Sequence, residues 1–185
     1  MIHHENEMYT ILNNEIVKSI DFGISWVGIG NPPIDGYLNL LQIDSDYIYV
    51  NHGCNLFRAS TVTYDWENIT GILNQIGPPE PYECTSINDL ENYGNNLVIS
   101  MYWYGGIGTL FLSEDSGNNW SEITTFPAVF NPGYQHSVSD LLYENGVLYT
   151  GTATSQNGIF YTENLIDWIE YSDGLKRPII NKSLF

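Results

Sequence analysis

The chain has 185 residues with 22 acids against 5 bases, a formal net charge of −17, and 43% hydrophobic and 14% aromatic residues. That length and apolar content suffice for one domain with a full core. The scarcity of Lys and Arg argues against a nucleic-acid partner, whose phosphates need clustered bases, and solubility is the plain reading of the charge.

The first predicted strands are Met8 to Leu12 and Glu15 to Lys18, followed by SIDFGISW, with Ser19, Asp21, Gly23 and Trp26. A second unit follows: Leu38 to Leu41, Tyr47 to Val50, Asn55 to Arg58, then STVTYDW from Ser60 to Trp66. The third holds Ile87 to Leu90, Asn96 to Ser100 and Thr109 to Leu112, then SEDSGNNW, with Ser113, Asp115, Gly117 and Trp120. The fourth holds Val138 to Leu141, Val147 to Thr150 and Gly158 to Tyr161, then TENLIDW from Thr162 to Trp168. After each Trp a further short strand begins. Turn residues such as Asp44-Ser45-Asp46 and Glu144-Asn145-Gly146 punctuate the runs, so consecutive strands read as antiparallel hairpins.

Four copies at intervals of 40 to 54 residues indicate an array of like units. One four-stranded meander cannot bury both faces, whereas units stacked around an axis can. The expected fold is therefore all-β: a β-propeller of about four four-stranded antiparallel blades. The blades span 1–31 plus 178–185, 36–77, 82–127 and 134–175. The first unit shows no innermost strand, and residues 178–185 offer one, so they are expected to complete that blade and close the ring. The alternative is an open half-ring that pairs with another copy or belongs to a larger propeller.

The Ser, Asp and Gly of each full motif suit a tight turn: local acceptors for turn amides and a residue tolerant of positive φ, with Trp covering the hairpin. SIDFGISW and SEDSGNNW resemble Asp-boxes, the Ser-x-Asp-x-Gly-x-x-Trp signature of BNR-repeat propellers, a group that includes sialidases. STVTYDW and TENLIDW lack the Gly and one residue. The resemblance covers nearly the whole chain and implies that these turns lie on the face away from the ligand site. It also implies a test for sialidase activity, which uses three arginines; this chain has only Arg58 and Arg177, which argues strongly against it.

The opposite face is expected to carry Tyr37, His52, Asn55, Tyr82, Glu83, Trp103, Tyr104, Tyr134 and His136. Rings beside amides and imidazoles suit stacking on sugars or packing against a peptide. The expected function is a non-catalytic module that binds a glycan or protein there. The alternatives are a glycosidase or lyase using carboxylates of that face, and a structural component of an assembly such as a virion. No catalytic residues, metal or cofactor are expected. Cys54 and Cys84 show no metal-ligand spacing, and two free thiols are expected, with a single disulfide as the alternative. No apolar run is long enough for a membrane-spanning helix. MIHHENEMYT lacks the regions of a signal peptide, so the cytoplasm or an assembled particle is the expected place, with export by another route left open.

Overall fold

The computed structural model describes residues 1–71, 73, 84–103, 107–125, 138–152 and 158–171. Its four four-stranded antiparallel sheets are arranged as the blades of a four-bladed β-propeller. The first blade is β1 (Ile2–His4), β2 (Glu7–Leu12), β3 (Glu15–Ser19) and β4 (Val27–Gly28). The second is β5 (Asn39–Ile43), β6 (Tyr47–His52), β7 (Asn55–Ser60) and β8 (Trp66–Asn68). The third is β9 (Cys84–Tyr93), β10 (Asn96–Trp103), β11 (Ile107–Ser113) and β12 (Ser121–Glu122). The fourth is β13 (Val138–Glu144), β14 (Val147–Thr152), β15 (Ile159–Thr162) and β16 (Ile169–Glu170). Within each blade the strands pair in chain order.

The middle strands are apolar on both faces because each is sandwiched between neighbours. In β10, Ile99 packs toward the second blade and Val98 toward the fourth, and both are fully buried. Each blade thus has a leading face, toward the next blade, and a trailing face, toward the preceding one. Three buried clusters result, joining the first blade to the second, the second to the third, and the third to the fourth. Among the described residues no such cluster joins the fourth to the first.

Two expectations are corrected. The place beside β2 foreseen for residues 178–185 is held by Ile2–His4, paired as Ile2 with Tyr9 and His4 with Glu7. Residues 178–185 themselves lie outside the described residues. Cys54 and Cys84 are not free thiols: they form a disulfide, their Cα atoms 6.1 Å apart. The turn after β6 and the start of β9 meet where the second and third blades pack.

One register differs between the blades. Val27, Ser121 and Ile169 each pair with the residue just before Ser19, Ser113 and Thr162. In the second blade Trp66 itself pairs with Ala59, so Ser60 lies one position beyond its counterparts. The inner strands β5, β9 and β13 are bulged at Leu40/Gln42, Ile87/Asp89 and Val138/Asp140, each carrying one extra residue there.

Candidate functional site

The foreseen binding face is described at one corner. His52 ends β6 and Tyr37 lies in the loop leading to β5. His52 Nδ1 is 3.0 Å from the Tyr37 carbonyl, and Asn55 donates to the His52 carbonyl at 3.5 Å. Gly36 makes this approach feasible: its φ is +134°, and a Cβ there would stand 2.1 Å from His52 Cε1. The Tyr37 ring itself is 88% exposed. The underlying turn is anchored to the third blade. Asn51 donates to both the Gly53 and Ile87 carbonyls, at 2.9 and 3.0 Å, and the Ile87 amide donates to Gly53. The Cys54–Cys84 bond ties the same two segments.

Trp103 is only 2% exposed and tilts against Phe111 at 5.8 Å between ring centres, so it belongs to the core between the second and third blades. Tyr82, Glu83, Tyr104, Tyr134 and His136 lie outside the described residues. The structure therefore brings Tyr37, His52 and Asn55 together and places Trp103 beneath the surface.

The opposite end carries the repeated turns. Ser19 Oγ donates to Asp21 Oδ1 (2.7 Å) and accepts from the Gly23 amide (2.8 Å); Ser113 does the same with Asp115 and Gly117. Ser25, from its hydroxyl and amide, and then Ser19 hold the Asp21 carboxyl down at about 2. Asp115 is lowered likewise by Asn119 and Ser113. In the shortened copies Ser60 accepts from the Val62 and Thr63 amides, and Thr162 from those of Asn164 and Leu165. Trp120 donates its indole N–H across to the Ile69 carbonyl at 3.2 Å. The Ser19, Asp21, Ser113, Asp115, Ser60 and Thr162 side chains are thus engaged within the turns, and Trp120 at the blade junction. Arg58 is equally committed: it is buried, ion-paired with Glu67, and donates to the Ser116 carbonyl and Asn118 of the next blade. Two grooves, of about 390 and 350 Å³, open at this end between the third and fourth and between the second and third blades.

Sequence reasoning missed a pair of carboxyls on the innermost strand β9. Asp89 accepts from the Leu141 amide of the fourth blade (2.7 Å) and from the Leu90 amide. Glu91 accepts from Gln42 of the second blade at 3.0 Å. Burial pushes Asp89 up to about 6 against the pull of those amides. Burial, and then the charge of Asp89, push Glu91 up to about 7. At neutral pH, Glu91 is thus poised to give or take a proton. The one available signal was the parallel between SINDL and SVSDL, which sets Asp89 and Asp140 at like positions. Among the described residues no group of three or more His, Cys, Asp or Glu is placed to hold a metal ion.

No family model and no curated protein matches the chain. Solved structures share its fold. The computationally designed Ika8 protein superposes with a TM-score of 0.55 and 11% identity over 90% of this chain and 46% of its own. The GH74 xyloglucanase from Xanthomonas campestris superposes with a TM-score of 0.55 and 12% identity over 89% of this chain and 27% of its own. The chain therefore spans about half the length of the first and about a quarter of the second.

Proposed function

We propose that this chain is a non-catalytic recognition module that binds a glycan on the face formed by the loops before β5 and after β6. The observation that carries the reading is the Tyr37 ring: almost wholly exposed, yet on a backbone clamped by His52 and Gly36. A ring held ready costs little ordering entropy when a sugar stacks on it. The likeness in fold to a xyloglucanase supports a polysaccharide as the ligand class. Calorimetric titration with xyloglucan oligosaccharides and a panel of other glycans tests it. Saturable binding that Tyr37→Ala weakens about tenfold, the loss of roughly 1.4 kcal/mol, supports the reading. The absence of any glycan binding overturns it and points to a protein ligand.

A second reading rests on Asp89 and Glu91. Two carboxyls with raised proton affinity suit acid–base hydrolysis of a glycosidic bond. Reducing-sugar release from xyloglucan, abolished by Glu91→Gln, supports this reading; no release by the wild-type chain removes it.

A further inference from the structure

We propose that two copies of this chain assemble head to tail, the leading face of each fourth blade packing on the trailing face of the other copy's first blade.

The argument starts from equivalent positions. The amides of Ile29, Ile69, Ile123 and Tyr171 donate to the carbonyls of Ile16, Leu56, Leu110 and Ile159, which aligns the four blades residue by residue. In the first three blades this leading-face position is isoleucine and is buried beneath the next blade. In the fourth it is Tyr171, 65% exposed. The ladder of the fourth blade also lines up Leu142, Tyr149, Tyr161 and Ile169 as direct partners across all four strands. Leu142 and Ile169 at the ends of that row are exposed, while Tyr161 packs between the rings of Tyr149 and Tyr171. The corresponding Val98 of the third blade is fully buried.

The first blade shows the complementary half. Met8, Val17 and Trp26 occupy the trailing-face positions that Leu97, Phe111 and Trp120 hold in the third blade. Trp120 sends its indole N–H across the junction to the Ile69 carbonyl. Trp26 turns its own back to the Gly23 carbonyl at 3.1 Å. The group equivalent to the Ile69 carbonyl, in the blade that would precede the first, is the carbonyl of Tyr171. On the first blade's trailing face Val17 is buried and Met8 and Trp26 are half-buried, while the two faces carry the residue types that the internal junctions bury.

Among the described residues neither face packs on another blade of the same chain. Two copies related by a two-fold axis satisfy both at once and leave no further face for growth.

The test is the mass of the full chain in solution by light scattering, with one variant on each face, Tyr171→Glu and Met8→Lys. The proposal expects twice the chain mass of 21.0 kDa for the wild type. Each variant alone should be monomeric with an unchanged circular-dichroism spectrum. An equimolar mixture of the two should restore the dimer, since a Glu then faces a Lys at one contact and the native residues meet at the other. A wild-type monomer at every concentration up to the solubility limit overturns the proposal. So does a ladder of larger species, or a dimer that both variants leave intact. Glycan binding is read separately and does not decide this outcome.

Discussion

A single methyl group at Gly117 probes the turn on which each blade is built. Its φ is +93°, and a Cβ there would stand 2.7 Å from Ile69 Cδ1 of the preceding blade. Gly117→Ala should therefore cost about 1–3 kcal/mol, from backbone strain and a displaced neighbour. Ser113 is buried and serves both Asp115 and the Gly117 amide, so Ser113→Ala should cost about 1–2 kcal/mol. Urea unfolding measures both, and a neutral result would show that the turn does not order its blade. The inner carboxyls set a pH dependence. Glu91 holds its proton more tightly when folded, so its contribution is fully present below its ordinary value of 4.5 and is lost as pH rises to about 7. Asp89 acts likewise between 3.8 and about 6. Asp21, held at about 2, runs the other way: its contribution is present above 3.8 and lost as pH falls to about 2. Glu91→Gln should raise the melting temperature at pH 8 and leave it unchanged at pH 4. Thermal melts across that range check this, and parallel curves for the two proteins would count against it.

Among the elements, the junction between the second and third blades is the most heavily cross-linked within the described residues. The Cys54–Cys84 bond encloses a chain separation of 30 residues, which in the chain-entropy model corresponds to about 3–4 kcal/mol. Reduction, or the double substitution of both cysteines by Ser, should lower stability by about that amount; an unchanged urea midpoint would mean that the junction holds without the bond. The strands flanking each turn were legible because their apolar runs and Trp-ended turns recur. Ile2–His4 was not, since Ile-His-His offers a single apolar side chain, and its place is known only from its pairing with β2. The cysteine pairing was illegible for a similar reason: separation along the chain says nothing about which blades adjoin. Asp89 and Glu91 were hidden among 22 acids, and only the packing of β9 between its neighbours distinguishes them. Trp103 was read as surface because it closes a strand beside Tyr104, yet the neighbouring blade covers it.

For the whole molecule, charge and assembly oppose each other. Each copy carries a formal −17, so bringing two together raises the repulsion between them. Raising salt from about 0.05 M to about 0.5 M shortens the screening length roughly threefold. The proposed dimer should therefore tighten with salt, which sedimentation velocity measures; weakening would indicate contacts dominated by ion pairs rather than by Tyr171 and its neighbours. The repeating plan has a dynamic consequence as well. Each blade leans only on those beside it, so opening can proceed one unit at a time. The second and third blades share a core, the Arg58 clamp and a covalent bond. In an isolated chain, amide protons of β6 and β10 should then exchange with solvent last. Those of the first and fourth blades should exchange earlier, through partial openings that leave the central pair closed.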